Sequence, residues 1–410
     1  MQNESNIKNL FASLKGDKTI WAVVALMALF SFIPVYTASS NLAYLNGGSG
    51  STFAYLVKHF VHIFIGFLLM YATHKIPYRY FRGLSALLLP FIVILLLFTL
   101  LQGNTMGGAN ASRWIRVPIV NMSFQTSSLA AVVLLVYVAR YLAKIKDVQI
   151  NFKQSLLPLW LPVFAVIGLI FPANFSTAAL IFSLTMLLCF LGGYPIKYIG
   201  IVVGTALVLA LLFGLSAKAF PGLFPNRVDT WISRVENFSN GEDAEEQYQI
   251  TKAKIAIASG GVTGNGIGKS VQRNFLPQSS SDFIYAIIVE EMGLIGGFGV
   301  IICYLIILGR IAIMVTKAQS EFAQLLVMAV GLPFVFQAFI NMGVAVQVFP
   351  VTGQTLPLIS SGGTSIWMTC ISLGILQSVK ANREEEILKE QIQEIDEEAE
   401  NPLEIMSETV

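Results

Sequence analysis

The sequence predicts an all-α polytopic membrane protein, with ten transmembrane helices and a long extracytoplasmic loop between helices 7 and 8. Three observations carry this. The 410 residues are 55% hydrophobic and only 12% charged, with a mean hydropathy of +0.69, too apolar for a domain whose whole surface must meet water. Apolar runs of the length that crosses a hydrocarbon core recur ten times along the chain. Lys and Arg gather in alternate connections, the bias that marks the cytoplasmic side. The chain accordingly divides into a cytoplasmic N-terminal segment (1–19), a transmembrane domain (20–380) with its outer loop at 218–281, and an acidic cytoplasmic tail (381–410).

The elements follow in order. Lys8, Lys15 and Lys18 precede the first apolar run, Ile20 to about Ala38. A signal peptide begins the same way, but many spans follow and no convincing cleavage site does, so this run is expected to remain as the first span. A polar, uncharged loop with GGSGS separates it from the second, about Phe53 to Thr73, and the basic HKIPYRYFR leads to the third, about Leu84 to Leu101. A glycine-rich loop holding Arg113, Trp114 and Arg116 precedes the fourth, about Ser127 to Leu142, after which Arg140, Lys144, Lys146 and Lys153 come in quick succession. The fifth and sixth, about Leu156 to Phe171 and Phe175 to Leu191, form a tight hairpin through PANFS. Lys197 precedes the seventh, about Tyr198 to Leu215. Beyond the long loop lie the eighth (about Phe283 to Val315, longer than a bilayer needs), the ninth (about Phe322 to Val348) and the tenth (about Ser365 to Val379).

With a cytoplasmic N-terminus, every basic cluster falls inside and the outer loops are nearly uncharged, apart from the third-span loop and the long loop. Basic residues kept outside against that bias are candidates for holding an anion at the outer leaflet. The net charge of +2 hides an asymmetry. Residues 383–410 hold 11 of the 24 acidic and 2 of the 26 basic residues, leaving +11 on the rest of the chain. The tail places Leu388, Ile392 and Ile395 at helical spacing, as a solvated continuation of the tenth helix would. The three cysteines lie in apolar runs and read as core residues, and the histidines lack the neighbours that would make a metal site.

Gly264–Gly293 is the stretch on which the functional reading turns. GVTGNGIGKS ends like a nucleotide-binding loop, but Thr263 stands where its first glycine belongs and no strand precedes it, so no nucleotide is expected. Its glycines leave two readings open, a flexible loop or a backbone cradle for an anion, with Lys269 and Arg273 adding positive charge. Asp282 stands at the head of the eighth span. There it is a helix N-cap, a general base beside a charged leaving group, or both. Glu290 lies about 80° round an ideal helix from Asp282 and Glu291 about 180°, so Glu290 is the one expected to share its cavity and Glu291 to be structural. A second polar concentration, Asn341–Ser365, is interrupted by Pro350, Gly353, Pro357 and Gly362-Gly363. A helix cannot run through it, and irregular backbone at membrane depth implies a cavity lining.

NASRWI with the following Phe124-Gln125, then YQITKAKIAIASGGVTGNGIGKS, LPQSSSDFIYAIIVEEMG and NMGVAVQVFPVTGQTLPLISSGGTS together resemble the SEDS family of membrane proteins, which includes FtsW and RodA. The resemblance covers nearly the whole chain, and VYTASS looks more like the FtsW branch. It implies a peptidoglycan glycosyltransferase that polymerises glycan strands from lipid II at the outer face of the cytoplasmic membrane, in septal synthesis during division. The alternatives are an elongation-type polymerase of the RodA kind, a lipid II flippase or a non-catalytic scaffold. The implied partners are lipid II, an undecaprenyl-pyrophosphate-linked glycan, a class B penicillin-binding protein and membrane lipids, but no nucleic acid. The implied cofactor is at most a divalent cation, Mg2+ or Mn2+.

Onto matching positions the resemblance carries Asp282 as the catalytic carboxylate and places Arg113, Trp114, Lys269 and Arg273 in or near the outer cavity. Pro350, Gly353, Pro357, Ser360, Gly362 and Gly363 become the loop before the last span. Substrate contacts are thus expected at Arg113, Trp114, Lys269, Arg273, Glu290, Ser360, Gly362 and Gly363, with Arg116 and Arg234 as further cations. The chain departs from the family where a carboxylate, a lysine and a second carboxylate are usual: it has Ser128, Ala131 and Asn174. Their joint loss suggests that they form one buried ionic cluster in relatives, since losing a single partner would strand a charge. Gln278, Ser280 and Ser281 also replace the commoner Glu, His and Thr before Asp282.

Overall fold

A computed structural model describes residues 14–45, 52–102, 105–106, 109–110, 114–117, 122–219, 244–276 and 279–400. All ten expected spans are helical. In chain order the helices are α1 (Lys18–Leu45), α2 (Thr52–His74), α3 (Tyr78–Gln102), α4 (Thr126–Ile145), α5 (Phe152–Ile170), α6 (Phe175–Leu191), α7 (Ile196–Ala219), α8 (Ala244–Gly260), α9 (Ile284–Lys317), α10 (Glu321–Ala345) and α11 (Gly363–Glu400). Eight of them are long and apolar enough to cross a membrane unaided. Of the other two expected spans, α6 has 17 residues. α11 packs along α2 with Thr369, Ser372, Gln377 and Ser378 buried against protein, so it need not be apolar all round.

Local chemistry explains several boundaries. Asn174 caps α6 by accepting from Thr177 N at 3.3 Å, and Ser320 caps α10 by accepting from Ala323 N at 3.2 Å. A π turn at Leu156–Trp160 contains Pro158, whose carbonyl accepts from Tyr137 Oη at 2.6 Å, so the irregularity leaves no orphan acceptor at that carbonyl. Gly66 and Gly374 let α2 and α11 close together: a Cβ at Gly66 would stand 2.9 Å from Cys370 Sγ, and one at Gly374 2.7 Å from the Met70 carbonyl.

The core is built around α10, which touches α4, α6, α9 and α11, and 61% of its span is buried, against 6% for α7 at the periphery. α7 touches mainly α6 and presents Leu207, Leu209 and Leu211 outward, as a helix facing lipid does.

Two connections and one span differ from expectation. The loop before α4 forms two small antiparallel hairpins, β1 (Thr105–Met106) with β2 (Ala109–Asn110) and β3 (Trp114–Val117) with β4 (Met122–Gln125). Alternating WIRV and MSFQ pair across their backbones where a glycine-rich loop alone was expected. The long outer loop contains α8, which packs on α9; its residues 220–243, Arg234 among them, lie outside the described residues. Finally, α9 is not one rod. Gly293 has φ 66° and ψ −166°, which breaks the helix and explains a span longer than a bilayer requires. The piece before the break, Ile284–Glu291, is buried throughout.

Candidate functional site

The two polar stretches singled out in the sequence, the head of α9 and the segment between α10 and α11, are bonded to each other. Ser361 N donates to Ser280 O at 2.9 Å, Ser360 Oγ to Ser281 O at 2.6 Å, and Asn341 Nδ2 to Asp282 O at 2.8 Å. Asn341 Nδ2 also donates to Gln354 O at 2.7 Å, so one buried amide ties both strands of chain at the same point. The segment between the helices is irregular, as the prolines and glycines require, yet it is fixed. Leu358 sits at φ 65°, a left-handed conformation costly for a branched side chain, and is held there by flanking bonds. Leu356 N donates to Ser360 Oγ at 2.8 Å, and Tyr304 Oη to Pro357 O at 2.6 Å.

Asp282 is partly exposed, and its Oδ2 lies 3.6 Å from where a Cβ would stand on Gly353. Gly353, at φ 67°, takes a conformation that favours glycine and brings its backbone beside the carboxylate. The capping expectation is corrected: the cap position of α9 falls on Phe283, because the chain through Ser279–Phe283 is a turn and the helix begins at Ile284. The same turn removes the ideal helical wheel from which Glu290 was expected to share a cavity with Asp282. Glu290 is 1% exposed and its oxygens are taken by the outer loop: Ser270 Oγ donates at 2.5 Å, Val271 N at 2.9 Å and Gln272 N at 3.2 Å. Glu291 accepts from Gly268 N at 2.9 Å, Ser270 N at 3.3 Å and Thr37 Oγ1 at 3.3 Å. The glycine-rich loop is therefore a backbone cradle for anions, and the anions are the protein's own two carboxylates.

Its glycines have a second use. The break in α9 frees backbone groups that the loop takes up: Asn265 N and Gly266 N donate to the carbonyls of Glu290 and Glu291, each at 3.0 Å. Leu294 N and Ile295 N donate to those of Gly261 and Val262, at 2.9 and 3.3 Å. A Cβ on Gly264 or Gly293 would overlap the partner backbone in this ladder. On the surface so fixed, Lys269 is exposed and Arg273 half-buried, with Arg273 Nη1 donating to Gly268 O at 3.0 Å.

Beside Gly353 lies a cavity of about 110 Å³ whose walls include Gln125, Ser128, Ala131, Thr177, Gln337 and Gln354. Among the described residues its lining carries no formal charge. Gln354 Nε2 donates to Thr177 Oγ1 at 2.9 Å, and Gln337 Nε2 to Thr355 O at 3.0 Å. The three positions where a charged cluster was expected in relatives gather here: Ser128 and Ala131 are in the wall, and Asn174 accepts from the backbone of wall residue Thr177. Trp114 pairs with Gln125 across the β3–β4 hairpin, whose Gln125 N donates to Thr364 Oγ1 at 3.4 Å, so that hairpin lies over the start of α11. Gly363 admits His62, whose Nε2 would be 2.5 Å from a Cβ there, and Gly362 packs against Thr355.

Arg113 lies outside the described residues, as does the side chain of Arg116. Among the described residues no group of three or more His, Cys, Asp or Glu is arranged to hold a metal ion. His59 instead bonds Ser31 Oγ through Nε2 at 2.8 Å. Sequence reasoning missed Asn341 and Thr37 as individual residues. Their signal, a polar side chain inside an apolar span, was present, but nothing local says which partner each meets.

The chain matches a family model described as cell cycle protein, covering FtsW, RodA and SpoVE, over residues 17–385. It is 31% identical over 387 residues to a probable peptidoglycan glycosyltransferase FtsW from Xanthomonas oryzae pv. oryzae, covering 92% of this chain and 76% of that protein. It is 28% identical over 368 residues to one so named from Coxiella burnetii, covering 87% and 94%. In fold it is similar to a chain from a peptidoglycan synthase complex, described as coordinating polymerization and crosslinking (TM-score 0.68, 24% identity, 90% of this chain and 98% of that). It is similar also to the rod shape determining protein RodA of Thermus thermophilus (TM-score 0.62, 23% identity, 90% and 97%).

Proposed function

The chain belongs to the FtsW/RodA/SpoVE family of cell cycle proteins, and from that premise we propose that it is a multi-pass membrane peptidoglycan glycosyltransferase that polymerises lipid II at the outer face of the cytoplasmic membrane. Its relatives' names give the activity. The observation that carries the assignment of a site is the setting of Asp282. It is a partly exposed carboxylate on a backbone held by Asn341, with a glycine opposite and a polar cavity beyond.

On this reading Asp282 accepts the proton of the attacking sugar hydroxyl on the incoming lipid-linked disaccharide. The oxygen bonds to the anomeric carbon of the growing chain as the bond to undecaprenyl pyrophosphate breaks, and the pair of electrons leaves with the pyrophosphate. Lys269 and Arg273, with Arg113, Arg116 and Arg234 as further candidates, stabilise that departing charge. A divalent cation, if used, would arrive with the pyrophosphate. Trp114 and the Ser360–Gly363 turn border the substrate, while Glu290 acts through the loop it holds. The N- and C-termini are cytoplasmic, by the distribution of Lys and Arg, and the protein works beside a class B penicillin-binding protein in septal wall synthesis.

The test is polymerisation of purified lipid II by wild type and Asp282→Asn, with the partner present. The substitution keeps size and is expected to lower the rate by roughly 10²–10⁴-fold with an unchanged thermal midpoint. Full activity of the variant would remove Asp282 from the mechanism.

A further inference from the structure

At the end of the molecule away from Asp282, the N-terminal segment, α9 and α11 meet in a knot of charge. Asp17 is buried, caps α1 by accepting from Thr19 N and Ile20 N, and receives Arg310 and Lys380 on its carboxylate. Gln377 locks the same residue by two bonds to its backbone, at 2.7 and 2.9 Å. This knot forms one wall of a cavity of about 210 Å³ that opens between α9, α10 and α11. Arg310 is 17 residues beyond the break at Gly293, roughly 25 Å of unbroken helix, which sets the cavity toward the membrane face opposite Asp282.

The charges around it do not balance. Its three carboxylates are committed: Asp17 as above, Glu384 to Lys380 and to Gly16 N, and Glu386 to Arg79 at 2.6 Å. Two lining cations are left over. Among the described residues neither Lys317 nor Arg383 has a carboxylate partner, and the buried Nε of Arg383 has no acceptor among them. A buried guanidinium N–H without a partner is rare, and an anion is what satisfies it. Apart from Tyr78 and Gln319, the remaining wall, with Ile313, Met314, Val379 and Ile387, is apolar. A basic pocket with an apolar side, where helices leave the membrane, suits an amphiphile with a phosphate head.

We propose that this cavity binds the phosphate of an anionic phospholipid from the leaflet on the N-terminal side. Arg383 and Lys317 hold the phosphate, and the apolar wall receives the glycerol and the first acyl carbons. Bound there, the lipid bridges α9 and α11, the two helices whose other ends carry Asp282 and the loop that faces it.

The full-length protein in uncharged detergent is titrated with phosphatidylglycerol, phosphatidylcholine or inorganic phosphate, following the thermal midpoint and, by native mass spectrometry, retained lipid. Phosphatidylglycerol is expected to raise the midpoint saturably and to be retained; phosphatidylcholine and inorganic phosphate at equal concentration are not. Arg383→Gln and Lys317→Gln should each weaken that effect by about tenfold or more, while Lys197→Gln, a cation outside the cavity, leaves it unchanged. Lys317 is exposed, so its variant reports even where Arg383→Gln misfolds. Unaltered phosphatidylglycerol binding by Lys317→Gln would overturn the site. Equal weakening by Lys197→Gln would reduce it to surface charge, and an equal response to inorganic phosphate would overturn the lipid.

Discussion

Glu290 separates a residue that touches substrate from one that holds a loop, and its replacement distinguishes the two. Its carboxylate receives one hydroxyl and two backbone N–H groups from Ser270, Val271 and Gln272. Bonds to a charged acceptor contribute about 1.5–3 kcal/mol each when one partner is deleted. Val271 is exposed, so water can recover its amide, but Ser270 is buried. Glu290→Ala is therefore expected to cost about 3–5 kcal/mol and to release the loop that carries Lys269 and Arg273. Glu290→Gln keeps an oxygen for the two amides, and its new NH₂ meets a serine hydroxyl that can turn to accept, so the loss falls to about 1–2 kcal/mol. The assay is the thermal midpoint in detergent together with polymerisation rate against lipid II concentration, below all three midpoints. The expected order of midpoints is wild type, Gln, Ala, with Glu290→Gln retaining a near wild-type KM. A Gln variant with unchanged midpoint and a KM raised about tenfold or more would refute the anchoring argument and return Glu290 to the substrate.

Three other outcomes are expected. Gly293→Ala forces a side chain into a left-handed position against the Val262 backbone, at about 1–3 kcal/mol for the conformation alone, and should expose the 260–266 loop to limited proteolysis. Asn341→Ala removes the two bonds that tie Asp282 O to Gln354 O. It should lower kcat more than it raises KM, and Asn341→Asp, which lacks the donor, should not rescue. Burial pushes the Asp17 carboxyl up, but hydrogen bonds from Arg310 and Lys380 outweigh it and leave the group below its ordinary value. A depressed carboxylate stabilises above its unfolded pKa, so this contribution is full above about pH 4 and lost as pH falls through the folded value. Asp17→Asn should lower the thermal midpoint at neutral pH, by about 3 kcal/mol in stability, and flatten its decline on acidification.

The spans were legible because membrane helices declare themselves locally: length, apolarity and flanking charge need no knowledge of neighbours. PANFS was readable as a turn for the same reason, and its Asn174 caps the next helix. What α9 does at Gly293 was not readable. A glycine inside an apolar run is ordinary, and only the loop lying against it turns that glycine into a required break. Glu290 shows the same limit: the helical wheel assumed a helix that begins at Asp282, whereas it begins two residues later.

The sequence by itself determined an all-helical membrane protein, its family, and the two polar stretches from which a site would be made, since composition, periodicity and motif order are properties of the chain alone. Only the tertiary structure decided that those stretches meet, with Asn341 and Ser360 as the ties, and that the glycine-rich loop cradles Glu290 and Glu291 rather than leaving its amides open. It alone brought Asp17 to Arg310 and Lys380, from positions 293 and 363 residues away. Hydrogen bonds and ion pairs act over a few ångströms in space, and separation along the chain does not specify them.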